Sequence, residues 1–238
     1  MNLKYFFLLF YLLFSSFGFA DISKMKSDEF LEKTGYLIFN EHLQKEVSNY
    51  SDANLTQLGK KRLNIVFEDK NIKETSHKII NNSLNSSDIE TILGFYKTSA
   101  GQKLQISLRN SKTSFKNVFE FKKSIDEKKV DVKRVQLINE IAKNINTEQT
   151  YYKSASFVIN FLDKYTKEPM DKGYKNFMQK MAKSASHIYS TPSLHLIYKD
   201  LDDIELRQLL DYSQSEVGKR EMDFQRKLMS ELMNQSLK

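Results

Sequence analysis

The sequence predicts an all-α protein, a bundle of helices without a sheet. Glycine and proline are scarce, with 7 and 2 residues in a chain of 238, and strands joined by tight turns usually need more of both. Lys, Glu, Leu, Ile and Gln, which favour helices, are abundant. Large apolar residues also recur three and four positions apart, which is the spacing of one helix face. These observations together predict the fold class.

The opening third of the chain predicts helices over 27–47, 53–68 and 72–84. Ser27, followed by Asp28 and Glu29, has the form of an N-cap with acids in the first turn. The apolar positions expected to face the core are Phe30, Leu31, Leu37, Ile38, Leu43, Leu55, Leu58, Leu63, Phe67, Ile79 and Ile80.

A short pattern then occurs twice, 117 positions apart. Each copy has the form of an amphipathic helix, a break at a hydroxyl residue, and a second helix that starts around a glycine. The first copy consists of Ile89, Ile92, Leu93, Phe95, Thr98 and Gly101. The second consists of Leu206, Leu209, Leu210, Tyr212, Ser215 and Gly218. A duplication of this length predicts two related helical units, and it argues against a single catalytic cleft.

The first copy predicts a helix through Tyr96, capped by Ser86 or Ser87, and a second helix to about Phe121, capped by Thr98 or Ser99. The second helix is expected to carry one apolar stripe, formed by Leu104, Leu108, Phe115 and Phe119.

The charged segment 122–131 predicts the boundary between the units, which would cover 21–124 and 125–238. Pro169 and Pro192 predict helix breaks, since proline lacks an amide proton and restricts the residue before it. Helices are expected over 135–145, 151–165, 171–189, the second copy of the pattern and, from about Ser215, the end of the chain. Their core positions would be Val135, Leu137, Ile138, Ile141, Ile145, Phe157, Val158, Phe161, Tyr174, Phe177, Met178, Met181, Val217, Phe224, Leu228 and Leu232.

Residues 1–20 have the form of a secretory signal. Lys4 is followed by an apolar run from Tyr5 to Phe14, and Gly18 and Ala20 are the small residues of a cleavage site. An uncleaved membrane anchor is the alternative, but the apolar stretch is shorter than the roughly 20 residues that a span needs. We expect cleavage after Ala20 and a location in a Gram-negative periplasm.

Composition limits the chemistry and the partners of the chain. There are no cysteines, which excludes disulfides, thiolate metal sites and cysteine nucleophiles. The net charge is +7, and the basic residues are dispersed. They indicate either solvated helix faces or peripheral attraction to an anionic envelope surface or an acidic partner. With an export signal, nucleic acid is not an expected partner.

The string from Ile92 to Lys103, ILGFYKTSAGQK, resembles the signature of a family of exported bacterial proteins, the domain of unknown function numbered two thousand and fifty-nine. In that family a helix ends in Phe-Tyr, and a Thr or Ser, often a proline, and a glycine follow. Here Ser99 and Ala100 stand where the proline is common, and the second copy has Tyr212-Ser213 for Phe-Tyr. The resemblance implies an all-helical exported protein with the motif in two tandem copies, and it transfers no catalytic residue.

The motif has a structural explanation. Phe95 and Tyr96 supply apolar area at a helix end, and Thr98 or Ser99 can cap the next helix. Gly101 allows two helix backbones to approach where a Cβ would collide. A functional alternative is an anion site at the exposed amides of that helix, assisted by Lys103.

No motif for nucleotide binding, zinc hydrolysis or a serine nucleophile is present. His187 and His195 could meet Asp200 or Asp202 at a metal, but we interpret them as ordinary polar positions. Calcium binding would require a central glycine that the acids Asp200, Asp202, Asp203 and Glu205 lack, so they are expected to cap a helix. No cofactor is expected.

Methionines are concentrated in the second unit, at Met170, Met178, Met181, Met222, Met229 and Met233. Most are expected in the core, although a Met-rich surface can also accommodate varied apolar partners. The sequence therefore predicts a non-enzymatic periplasmic protein that binds another envelope protein, as an immunity or accessory factor. The alternative is a carrier or sensor of an apolar or anionic ligand held between the two units.

Overall fold

The computed structural model describes residues 24–34, 55–80, 82–110, 115–127 and 130–238. Within these ranges the chain is all-α, as expected, and its only β feature is an isolated antiparallel bridge between Leu55 and Thr166. No described helix is long and apolar enough to cross a membrane. The segment 1–20 lies outside the described residues, and so do Leu37, Ile38 and Leu43.

The described helices are numbered in chain order. They are α1 (Lys24–Lys33), α2 (Gln57–Val66), α3 (Asp69–Ile80), α4 (Ser86–Lys97), α5 (Ser99–Asn110), α6 (Phe115–Asp126), α7 (Val132–Asn144), α8 (Thr147–Tyr165), α9 (Lys172–Ile197), α10 (Asp203–Gln214) and α11 (Glu216–Leu237). A single 3-10 turn, Tyr198–Asp200, joins α9 to α10.

One hydrophobic core runs through both expected units. Phe30, Ile92, Ile138 and Phe224 are fully buried and belong to the same cluster. The C-terminal helix α11 packs against α2, α3 and α4 from the first unit and against α8 and α10 from the second. The two halves of the chain therefore stabilise each other through a shared core.

Several expected helix boundaries are wrong. Helix α1 begins at Lys24, so Ser27 is not its N-cap. The cap of α4 is Asn85, not Ser86 or Ser87. Helices α5 and α6 lie where one helix was expected from about Gly101 to about Phe121, and 111–114 between them are outside the described residues. Helix α6 also continues to Asp126, into the segment expected to separate the units.

The break expected at Pro192 is also wrong, because α9 runs through it for 26 residues. Proline removes the hydrogen bond to the carbonyl of the residue four positions earlier. That residue is Ile188, and α9 tolerates the loss because the helix is buried on both sides of Pro192, at Ser190 and at Ser193. The break at Pro169 is confirmed, since α8 ends at Tyr165 and α9 begins at Lys172.

Most of the residues expected to face the core are buried or partly buried in the described part of the chain, but five are exposed. Leu58, Phe119, Tyr174, Phe177 and Met181 were expected to face inward, and each is between 45% and 57% exposed. In the middle of α9 the buried positions are the small residues Ala182, Ser186 and Ser190, whereas Leu194 and Ile197 are buried near its end. Small side chains let α9 pack closely on α8, and this orientation leaves Tyr174, Phe177 and Met181 exposed.

Candidate functional site

The first copy of the repeated pattern folds as the hairpin α4–α5. The Thr98 Oγ1 donates a hydrogen bond to the Phe95 carbonyl at 2.6 Å and accepts one from the Gly101 amide at 3.2 Å. Thr98 thus closes the end of one helix and caps the start of the next, as expected.

The second copy, the hairpin α10–α11, repeats this geometry. The Ser215 Oγ donates to the Tyr212 carbonyl at 2.7 Å and accepts from the Gly218 amide at 2.9 Å. Each of these three residues lies 117 positions after its counterpart in the first hairpin. The expected cap at Ser215 is therefore confirmed.

Gly101 and Gly218 are buried at the same point of the two hairpins. A Cβ on Gly101 would collide with the carbonyl oxygen of Phe95, and one on Gly218 with the carbonyl oxygen of Tyr212. The expected close approach is therefore present. It lies between the two helices of each hairpin, where the obstacle is backbone and cannot rotate away.

The equivalence extends upstream to residues that the sequence pattern did not include. The side chain of Asn85 caps α4 while Asp88 binds the Asn85 amide, and Asp202 and Glu205 form the same reciprocal box at the start of α10. Asn85 and Asp202, like Asp88 and Glu205, are 117 positions apart. Applying the repeat distance to the caps could have revealed both boxes.

The two hairpins cross at their aromatic residues. The rings of Phe95 and Tyr212 stack with centroids 3.9 Å apart and planes inclined by 7°. Phe95 and Tyr212 occupy the same position in the two copies of the pattern, so equivalent residues of the two hairpins contact each other. In a two-fold arrangement such a self-contact occurs only at the axis.

Two ion pairs flank this stack, and their residues are also equivalent between the two copies of the pattern. The Lys103 Nζ lies 2.8 Å from Oε1 of Glu205, and the Arg220 Nε lies 3.1 Å from Oδ2 of Asp88. Asp88 corresponds to Glu205 and Lys103 to Arg220 by the distance of 117. The acid of each hairpin therefore binds the base of the other. We call the Phe95–Tyr212 stack with these two pairs the hairpin crossing.

Glu205 is the most constrained carboxylate of the crossing. Its side chain is buried, and besides Lys103 it accepts hydrogen bonds from the Ser99 Oγ at 2.6 Å and the Asp202 amide at 2.9 Å. The Lys103 ammonium and the Ser99 hydroxyl lower the pKa of Glu205 to about 2. An anion site at the start of α5 with Lys103 was one expectation, and Glu205 of the second hairpin occupies that place.

A second acid, Glu221, is fully buried beneath the crossing and accepts a hydrogen bond from the Tyr212 hydroxyl. Burial raises the pKa of Glu221 well above its ordinary value of 4.5, and the Tyr212 hydroxyl offsets this only in part. Its counterpart in the first hairpin is Leu104, which is also buried. The second hairpin thus holds a carboxyl where the first holds an apolar side chain.

We expect Glu221→Gln to be more stable than the wild type at pH 8, by about 1–3 kcal/mol, and nearly equal to it at pH 4.5. A raised folded pKa means that the native state keeps a proton which the unfolded state loses, so stability falls as pH rises above 4.5. Gln keeps an acceptor for Tyr212 and does not titrate. Urea unfolding at a series of pH values measures the difference.

The exposed Glu216→Gln variant is the control for charge loss on α11, and it should follow the wild type. A gap between Glu221→Gln and the wild type that does not widen with pH would contradict a protonated Glu221.

The structure does not bring the two histidines together at a metal. His187 is exposed, and its Nδ1 lies 3.3 Å from Glu148. His195 is buried with its ring centroid 5.2 Å from that of Phe121, and burial lowers its pKa to about 4. Among the described residues, no three His, Cys, Asp or Glu side chains are grouped as metal ligands.

Two apolar surfaces lie away from the crossing. The first is a groove of about 270 Å³ between α8 and α11, lined by Phe157, Met229 and Met233 among others. The second, which we call the α9 stripe, consists of Tyr174, Phe177, Met181 and Ile188, each at least 40% exposed. The methionines are thus divided: Met222 is in the core, Met170 and Met178 pack against it, and Met181, Met229 and Met233 lie on the two surfaces.

Comparison with known proteins adds no assignment. No family model matches the chain, and neither the curated proteins nor the solved structures provide a match. Membership of the exported family that the motif resembles therefore stays a prediction.

Proposed function

We propose that this chain is a non-enzymatic periplasmic protein that binds another envelope protein, as an immunity or accessory factor, through the α9 stripe. The observation that carries this proposal is the exposure of Tyr174, Phe177, Met181 and Ile188, which ranges from 40% to 55% on one helix. A contiguous run of large exposed apolar side chains is uncommon on a protein that works alone, and it commonly marks an interaction site.

The spacing of the stripe favours a helical partner. Its residues follow at intervals of three, four and seven, which places them along the seam of a heptad pattern. Ser184 fills the remaining seam position between Met181 and Ile188 and leaves room for a large side chain of the partner. Met181 adds an unbranched side chain that can adapt to a partner's surface.

The charges around the stripe favour a partner with acidic flanks. Helix α9 contains no Asp or Glu, and Lys172, Lys180 and Lys183 are exposed on it. Lys175 is already engaged, because its Nζ lies 2.7 Å from Asp163. Lys172, Lys180 and Lys183 make no ion pair with a described residue, so they would accelerate association with an acidic surface and orient it. Salt would weaken this effect.

Site-specific photo-crosslinking in the producing cell tests the proposal. A photoreactive phenylalanine analogue at position 177 should give one dominant crosslinked protein, whereas the same analogue at Ile204 should not. Ile204 is a matched control, since it is 69% exposed and lies on α10, outside the stripe.

The partner identified by crosslinking is then purified, and its affinity for variants of this chain tests whether the α9 stripe is the interface. Phe177→Lys should weaken binding at least tenfold, about 1.4 kcal/mol. Lys180→Glu should also weaken binding, and the loss of affinity should be larger at low salt than at high salt. Equal crosslinking from positions 177 and 204, or binding that neither variant changes, would exclude the stripe as the interface. Binding to anionic vesicles that depends on Phe177, without a protein partner, would replace the proposal by a membrane contact.

A further inference from the structure

We propose that the groove between α8 and α11 binds an anionic amphiphile, a small molecule with one apolar chain and a terminal carboxylate or phosphate. The site lies within the second half of the chain and shares no residue with the α9 stripe. It is therefore independent of the protein-binding proposal, and each can fail without the other.

The floor of the groove is apolar and formed by packed side chains. Phe157 is buried, and Tyr152, Met229 and Met233 are partly buried against the core. The two methionines lie four positions apart on α11, so they form a continuous surface along the helix. Unbranched, polarisable side chains of this kind adapt to the shape of an apolar chain.

The volume of the groove limits the size of the ligand. About 270 Å³ is slightly below the range of roughly 300–1,000 Å³ for pockets that hold drug-sized ligands. A molecule with a single chain of moderate length fits this space, whereas a lipid with two acyl chains is too large. Burial of the chain against Phe157 and the methionines would supply most of the binding free energy.

The charges of the groove select the head group. Lys153 from α8 and Arg226 from α11 line it, and no Asp or Glu is among the described residues that do. Arg226 is engaged, since its guanidinium lies 2.5 Å from Asp223. Lys153 is exposed and makes no ion pair with a described residue, so it is the cation available to a ligand. A carboxylate or phosphate beside Lys153 gains a charge-assisted hydrogen bond, and a cationic head would be repelled.

Titration calorimetry on the purified full-length chain tests this site with three amphiphiles of equal chain length. Decanoate, decyl phosphate and decyltrimethylammonium are each added below the concentration at which they form micelles. We expect saturable binding of one molecule per chain for decanoate, decyl phosphate or both, and binding at least tenfold weaker for the cation. Binding of only one anion would identify its head group as the preferred one, and binding of both would show that the site accepts either.

Three variants locate the binding. Lys153→Glu should weaken it at least tenfold, and Ser230→Trp should do the same by placing an indole at the rim of the groove. Lys227→Glu is the matched control, because Lys227 is an exposed lysine of α11 that points to Ser83, at 3.2 Å, and not into the groove. Equal binding of the cationic amphiphile, or binding of the anions that Lys153→Glu and Ser230→Trp leave unchanged, would overturn the proposal. So would the absence of binding.

Discussion

Gly101→Val and Gly218→Val should each destabilise the protein by at least 1–3 kcal/mol, roughly the cost of overpacking a buried site. The new side chain would begin inside the van der Waals radius of a main-chain carbonyl, that of Phe95 in one hairpin and that of Tyr212 in the other. A carbonyl at a helix end cannot rotate away as a side chain can, so the two helices of the hairpin must separate. Thermal and urea unfolding of both variants measure the loss.

Gly94 provides the internal control. It lies on α4 in the same hairpin, and apart from its chain neighbours and the backbone of its own helix no described atom lies within 4 Å of the place its Cβ would take. Gly94→Ala should therefore stabilise the helix by about 0.5–1 kcal/mol. If Gly101→Val melted at the temperature of the wild type, the close approach of α4 and α5 would not constrain the hairpin.

Glu205→Gln should lower the stability at pH 7 by about 1.5–3 kcal/mol and should remove much of the pH dependence at acid pH. The pKa of Glu205 is lowered from 4.5 to about 2, so its ion pair stabilises the fold fully above pH 4.5 and is lost as pH falls toward 2. The variant cannot lose this contribution. Its stability should therefore approach that of the wild type as both are taken to low pH.

The control for this experiment is Asp203→Asn, two positions earlier on the same helix. Asp203 is 54% exposed and 3.5 Å from Arg134, so solvent screens its pair and little change is expected. A double-mutant cycle with Lys103→Met isolates the interaction between Lys103 and Glu205. Wild-type and Glu205→Gln curves that stay parallel from pH 5 to pH 2 would show that the carboxylate is not held by its partners.

The sequence was sufficient for the parts of the fold that depend on near neighbours. Thr98 and Ser215 could be identified as caps because a cap, its helix and its glycine lie within four residues of one another. The break around Pro169 follows from the proline itself, which disfavours a helix at its own position and just before it. Pro192 does not break its helix, because that helix packs against the bundle on both sides of the proline.

The orientation of α9 could not be predicted, because two faces of that helix are plausible. A stripe of large apolar residues and a stripe of Ala182, Ser186 and Ser190 both have helical spacing. Which face is buried depends on how closely α8 approaches, and this is a property of the packed structure. The same holds for the crossing, whose Arg220–Asp88 pair joins residues 132 positions apart.

The two-fold relation at the crossing also has a consequence for how such a chain could have arisen. Each hairpin carries an aromatic residue, an acid before it and a base after it, so each is complementary to a copy of itself. A shorter chain with a single hairpin would already hold both sides of the contact, and it would complete the contact by pairing with a second molecule. Joining two such subunits by gene duplication preserves the contact and makes it intramolecular. In a dimer of identical chains each position has the same residue in both subunits. After duplication the two halves can differ, as Leu104 in the first half and Glu221 in the second do.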